Sequence, residues 1–272
     1  MNVCITLDLE PDYAGLVPTA YSAWQAPQVE RLLGLLAAHG LPMTAFVVAE
    51  SLRAHPDVIA LLQRARVEFQ LHSFSHDLAH PDSQDEIRRG KQAFEAYFGH
   101  APLGYRAPQG RISPEGWRLL DEEGFAFDAS VFPAIWPSPR YLRYPRRPFH
   151  PPGRRLIAIP AGTLTPARLV VSLSWFKLLG WPLYRWLLAH CALPDPLVLG
   201  MHLHDLWPTG SNPSLRGPWT WVYRDNTDSG LTLLTRFVEL MEGQGVRFET
   251  MGNVAQSLVV ERLPTAEGAA AC

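Results

Sequence analysis

Two histidines stand four residues apart in His72-Ser73-Phe74-Ser75-His76. On a turn of helix that spacing puts both imidazoles on one face, where they can share a metal ion. Alone, such a pair is more often a surface or capping feature. A carboxylate brought to it would complete a two-histidine, one-carboxylate set with a position open to water, which a catalytic zinc or related divalent ion requires. The first segment offers three acids, Asp8, Glu10 and Asp12. Side chains alternate along a strand, so Asp8 and Glu10 point the same way. His80 lies one turn further on, in a proline-containing loop, and makes a poor third ligand.

The elements that must position these residues are visible as short apolar runs: Val3–Asp8, Met43–Val48, Val67–His72, Gly104–Arg106, Phe125–Asp128, Leu156–Ile159, Leu197–His202 and Val246–Met251. Helical patterns separate them. One begins at Pro27 and stops at Gly40, one follows the capping box Ser83-x-x-Glu86 and ends at Gly99, one starts at Ser113-Pro114, and the last runs from Leu231 to Met241. Strand–helix alternation over this length means a mostly parallel sheet, and seven or eight units favour a barrel over an open doubly wound sheet. No glycine-rich phosphate turn follows the first strand.

In a β/α barrel the chemistry sits at the C-terminal ends of the strands. Those ends read Asp8-Leu9-Glu10-Pro11-Asp12, His72 to Asp77, Arg106-Ala107-Pro108-Gln109-Gly110, Asp128-Ala129-Ser130 and His202-Leu203-His204-Asp205. A buried strand has no packing reason to end in a titratable group each time.

Composition bounds the rest. The chain has 272 residues, 47% hydrophobic and 18% charged, enough for a sizeable globular core. A net charge of −2 argues against a dedicated nucleic-acid binder. Cys4, Cys191 and Cys272 form neither a disulfide framework nor a C-x-x-C pair. The N-terminus enters a strand without a basic, cleavable leader, so the expected compartment is the cytoplasm. The apolar stretch from Leu169 to Leu193 is long enough to suggest a membrane span, but Lys177, Pro182, Arg185 and His190 interrupt it, and a buried or amphipathic helix is expected. Residues 1–260 are expected to form one domain, with an Arg/Pro-rich insertion at 133–155 and a flexible tail at 261–272. The insertion carries Arg140, Arg143, Arg146, Arg147, Arg154 and Arg155 and no acid. It reads either as a solvated loop or as a lid that contacts an anionic substrate.

Taken in order, Thr6-Leu7-Asp8-Leu9-Glu10, the His72–His76 segment, Arg106-Ala107-Pro108-Gln109-Gly110, Asp128-Ala129-Ser130 and Leu199-Gly200-Met201-His202 resemble the five motifs of the polysaccharide deacetylases, carbohydrate esterase family 4. The resemblance implies a distorted (β/α)7 barrel and metal-dependent removal of an N-acetyl group from a sugar. It implies Asp8 as general base, His72 and His76 as metal ligands, Arg106 as the residue that orients the base, and His202 as general acid. Common members carry a second aspartate where this chain has Leu9. Glu10 is therefore expected to supply the third ligand, with Asp12 in reserve. His202 is preferred to His204 as the acid because it directly ends the apolar run. The expected metal is Zn2+, with Co2+, Mn2+ or Ni2+ as alternatives. Pro108, Asp128, Trp207 and His204 are the candidate substrate contacts, although Asp128 and Trp207 fit loop capping and core packing equally well.

The expected partner is an N-acylated sugar and not nucleic acid. The arginine-rich loop and the 169–193 segment point to a phosphorylated or lipid-linked intermediate and to peripheral contact with the inner membrane face. Two other readings stay open: hydrolysis of other non-peptide C–N bonds, such as formamides or ureide-like amides, and a non-catalytic carbohydrate-binding homologue. A serine hydrolase is disfavoured, since no Gly-x-Ser-x-Gly elbow occurs. Nothing in the sequence selects the sugar or the oligomeric state.

Overall fold

The computed structural model describes residues 1–15, 17, 20–135, 139–164, 167–217, 220–225 and 230–259. Its strands are β1 (Asn2–Leu9), β2 (Thr44–Val47), β3 (Glu68–Leu71), β4 (Gly104–Tyr105), β5 (Phe127–Asp128), β6 (Ile157–Ala158), β7 (Thr163–Leu164), β8 (Leu169–Val170), β9 (Leu197–His202) and β10 (Arg247–Phe248). β1 to β6 pair in sequence order, β9 pairs with the other edge of β1, and every one of these pairings is parallel. This is the curled seven-strand sheet of a distorted (β/α)7 barrel, as expected. β10 adds two residues beside the start of β1. Between β6 and β9 the wall is completed by single backbone bonds, Gly162 N–H to the Val198 carbonyl (3.0 Å) and Gly200 N–H to the Val171 carbonyl (3.1 Å). The β7–β8 hairpin supplies these links.

β1 shows how the barrel places chemistry. Its odd positions, Val3, Ile5, Leu7 and Leu9, are buried in the large cluster that includes the surrounding helices. Its even positions face the interior. Cys4 joins Phe46, Phe127, Ile157 and Val198 in an apolar plug. Beyond it the same face carries Thr6, Asp8 and, just past the strand, Glu10. A period of two thus converts one strand into an apolar floor and an ionisable rim.

The floor is closed by a helix that the strand pattern had hidden. The run expected as a strand over Val246–Met251 is extended only at Arg247–Phe248, and a helix occupies Met251–Leu258. Thr250 caps it, its hydroxyl accepting from Asn253 N–H at 3.3 Å. Met251, Val254 and Ala255, at helical spacing, enter the interior plug. Leu231 to Met241 falls within the helix Gly230–Glu242, so it is not the last helix.

The 169–193 segment is not one helix. After β8 it forms Leu173–Leu179, turns at Gly180 (φ 87°), and continues as Trp181–His190 with Pro182 in the first turn. Among the described residues no helix is long and apolar enough to cross a membrane. In the 133–155 stretch the described part forms a 3-10 turn over Pro139–Arg143 and a bridge from Phe149 to Ala158 of β6. Residues 136–138 and the expected tail, 261–272, lie outside the described residues.

Candidate active site

Glu10 is the centre of the site. Its side chain is 2% exposed, and its Oε2 lies 3.1 Å from Nε2 of His72 and 2.8 Å from Nε2 of His76. Burial disfavours the charge, yet His202 and His76 hold the carboxyl well below the ordinary range. Leu9, at the position where the family pattern would put an acid, points the other way into the outer core.

The two histidines do not share a helix face. His72 follows the last residue of β3, and residues 72–79 form a turn with no helix. Ser73 (φ 66°) and His76 (φ 64°) both adopt left-handed backbone, a conformation costing roughly 1–3 kcal/mol for residues with a side chain. The surroundings over-determine it. Ser73 Oγ accepts from His76 N–H at 3.1 Å. Glu86, buried at the start of the helix Gln84–Phe98, accepts from Phe74 N–H (3.1 Å), Ser75 N–H (2.9 Å) and the Ser75 hydroxyl (2.7 Å). The expected capping box is therefore only half formed. Ser83 caps Glu86 N–H, while the Glu86 side chain serves the histidine turn instead. Gly90 allows the helix to approach, since a Cβ there would sit 3.1 Å from Ser73 and Phe74 backbone atoms.

Hydrogen bonds decide the proton on His72. Its Nδ1 is 2.6 Å from the Arg106 carbonyl, which can only accept, so Nδ1 carries a hydrogen, and in the neutral ring Nε2 then presents its lone pair to Glu10. A lone pair facing a carboxylate is unfavourable unless a cation lies between them. Glu10 Oε1 is also buried without a hydrogen-bond partner. Ligand atoms of Glu10, His72 and His76 all fall within 4.8 Å of one another. This donor set fits a divalent cation. A second grouping, Glu10 with His202 and His204, meets the same distance, but His202 sits among carboxylates that favour a proton on its ring.

Arg106 follows β4, the strand beside β3, and its side chain reaches across the interior to β1. Its Nη1 donates to Asp8 Oδ1 at 2.5 Å and to Thr6 Oγ1 at 3.0 Å, and its guanidinium sits 4.0 Å over the Phe46 ring. The pair is nearly dry, so the arginine holds one oxygen of Asp8 and leaves Oδ2 facing the centre. There His202 Nε2 is 3.8 Å away, and 3.6 Å from Glu10 Oε1.

His202 is oriented by a residue that no sequence expectation assigned a role. Asp205 Oδ2 accepts from both the His202 backbone N–H and its ring Nδ1–H, each at 2.8 Å. The signal was available, since an acid three residues after a strand-ending residue fits a capping box. Burial pulls the imidazole pKa down, but Glu10, Asp205 and Asp8 outweigh it and raise it to about 10. Burial disfavours the Asp205 anion, and His202 overcomes this and lowers its pKa to about 2. His204 is the opposite case. Its ring stacks on His202 at 4.6 Å, and its Nδ1 accepts from Tyr13 N–H at 3.1 Å. Burial, then His202, lowers its pKa to about 4, so it is neutral and unsuited to donate as an acid.

The remaining expected residues sit behind the site. Asp12 is fully buried and its oxygens accept from Ser22 N–H and Oγ–H, Ala23 N–H and Ser211 Oγ–H, so it pins a loop and does not reach the histidines. Asp128 has no exposed surface, and its oxygens accept from Trp117 Nε1–H at 2.9 Å and from Ser130. Burial outweighs those bonds and raises its pKa to about 6. Ser130 in turn accepts from Ala107 N–H at 2.7 Å, so Asp128 braces the arginine loop. Trp207 donates to the Ala23 carbonyl at 2.8 Å within the core, and Pro108 is buried in a 3-10 turn. For Asp128 and Trp207, capping and packing describe what the structure shows.

The motif resemblance is borne out by comparison. The polysaccharide deacetylase family model matches residues 4–127. A peptidoglycan deacetylase-like protein, FGM2, of Gibberella zeae is 29% identical over 109 residues, 38% of this chain and 32% of that relative, so the match spans about a third of the relative's length. Among solved structures, one from Mycobacterium smegmatis that bears the name polysaccharide deacetylase superposes with a TM-score of 0.67 at 20% identity, covering 97% of this chain and 92% of that one. The PuuE allantoinase superposes with a TM-score of 0.61 at 19% identity, covering 97% and 92%. At these identities the structural likeness speaks for the fold.

Proposed function

We propose that this chain, whose residues 4–127 carry the polysaccharide deacetylase match, is a metal-dependent hydrolase that removes an N-acyl group from a sugar. The observation that supports this most is a single convergence. One carboxylate, Glu10, meets two imidazoles, while a second, Asp8, lies between a guanidinium and a third imidazole.

Glu10, His72 and His76 would hold the cation, with zinc the first choice for a set of two imidazoles and a carboxylate. Such an ion supplies Lewis acidity toward the acyl carbonyl and lowers the pKa of water. Asp8 takes the proton of the attacking water through Oδ2, because Arg106 occupies Oδ1. His202, held by Asp205 with Nδ1–H fixed, delivers a proton from Nε2 to the leaving nitrogen, which could not depart as an amide anion. Once a cation shares the charge of Glu10, Asp205 remains the partner that keeps His202 protonated.

For the substrate, we favour a phosphorylated or lipid-linked N-acylated sugar over finished polymer, on the strength of the arginine-rich segment. The test is acyl release by zinc-loaded protein from free, phosphorylated and lipid-linked N-acetyl sugars, chitin oligomers, a formamide and a ureide. Release from the sugars, absent in the metal-free protein, is expected. Turnover of the formamide or ureide alone would move the activity to other C–N bonds. A metal-loaded protein that releases nothing would mark a non-catalytic homologue.

A further inference from the structure

From Ala129 to Pro194 the chain carries nine Lys or Arg and no Asp or Glu, whereas the rest holds all 26 acids against the other fifteen cations. A balanced total thus hides a basic stretch within an acidic remainder. The fold folds part of this basic stretch onto one flank. Arg146 donates to the carbonyls of Thr163 (2.6 Å) and Ala192 (3.3 Å), and Arg168 to that of Tyr144 (2.9 Å). Burial and the neighbouring Arg168 and Arg147 lower the Arg146 pKa, a sign of like charges crowded together. Among the described residues none of these arginines, nor Arg143, forms an ion pair.

Ala192 follows directly on the helix Trp181–His190. That helix and its partner Leu173–Leu179 leave large apolar side chains in water at their shared corner and beyond. Leu179 is 39% exposed, Leu183 42% and Trp186 57%. Leu183 and Trp186 are three apart on one helix face, with Arg185 exposed between them. The same hairpin reaches the site wall, because Lys177 lies 5.9 Å from the Tyr223 ring and Tyr223 packs on His204.

We propose that this flank docks on an anionic lipid surface, with Leu179, Leu183 and Trp186 entering the interface and the arginines meeting the headgroup phosphates. Charge complementarity selects this occupant. Exposed Trp and Leu flanking Arg185, on a helix whose end is tied to Arg146 and to arginines that form no ion pair among the described residues, suit a membrane interface carrying negative lipid. Docking does not depend on the hydrolase reading, since none of these groups belongs to the Glu10 centre.

The test is co-sedimentation of the full chain, metal-free and metal-loaded, with vesicles of phosphatidylcholine alone or with added phosphatidylglycerol. Binding to the anionic vesicles is expected for both forms, weakened by salt. The double variant Leu183→Ser with Trp186→Ser should bind at least about tenfold more weakly. Arg143→Ala with Arg147→Ala should lose about tenfold. Both variants should keep the parent melting temperature, because the changed side chains are exposed. Equal binding to the two vesicle types, no binding, unchanged binding by the variants, or a stable dimer that Trp186→Ser dissociates would overturn the proposal. The dimer would mean that a second copy covers this face. Failure here would leave acyl release untouched, and a catalytically silent protein could still bind.

Discussion

Asp8 of β1 and His202 of β9 are register partners on adjacent parallel strands, and their side chains meet with Oδ2 and Nε2 3.8 Å apart. The proposed base and acid are thus set by a strand spacing near 4.8 Å, a distance that the sheet itself maintains. Replacing Asp8 by Asn keeps the shape and an acceptor for Arg106 but removes the base. Turnover should fall by about 10²–10⁴-fold, with the metal content unchanged by elemental analysis. Near-parent turnover would remove Asp8 from the mechanism.

Asp205 should control the alkaline limb of the pH profile. As the proposed acid His202 must be protonated, and its pKa is raised to about 10 by Glu10, Asp205 and Asp8 against the cost of burial. Asp205→Asn removes one of those charges, so the alkaline limb of kcat/KM should move to lower pH. The stability linkage has the same sign. In the metal-free protein the His202 contribution is complete below the ordinary value of 6.5 and is lost as pH rises toward about 10. Melting temperature followed over that window should decline in the parent and be flatter in Asp205→Asn.

Metal removal should be visible without any substrate. Glu10 is buried beside two imidazoles, and a cation that binds only the folded state stabilises it by roughly 2.7 kcal/mol at a hundredfold excess over its Kd. Chelation should lower the melting temperature and zinc should restore it. Glu10→Ala should abolish the zinc-dependent increment, as read by calorimetry with and without zinc. Asp12→Ala should keep that increment, while losing stability from its loop bonds.

Glu86 positions the centre without touching it. Its carboxylate takes three donors from Phe74 and Ser75 within the strained turn that carries His76. Glu86→Ala should weaken zinc binding by about 10–100-fold, the scale seen when support of a ligand is lost. Isothermal titration with zinc checks this, and Glu86→Gln, which retains an acceptor, should recover part of the affinity. Parent affinity in Glu86→Ala would show that the turn holds itself.

Much of the barrel is legible along the chain because its signals are local. Apolar runs end in polar residues, and the period of two puts Asp8 and Glu10 on one face while sending Leu9 to the other. The helix at Met251–Leu258 was less legible, because a short strand runs into it and Thr250 marks the change only through its cap. The sequence favours Glu10 over Asp12 as the third ligand, but what occupies Asp12 is visible only in the fold. Asp12 is taken up by Ser22, Ala23 and Ser211, and the last of these is 199 residues away. The preference for His202 over His204 likewise rests on Asp205, Tyr13 and the β1–β9 register. The spacing of His72 and His76 suggested a helix, but Glu86 and Gly90 hold a left-handed turn in its place. Periodicity settles which way a side chain leaves its own strand or helix, since that follows from backbone geometry. Which partner consumes it depends on packing between segments far apart in sequence, and only the folded chain brings those together.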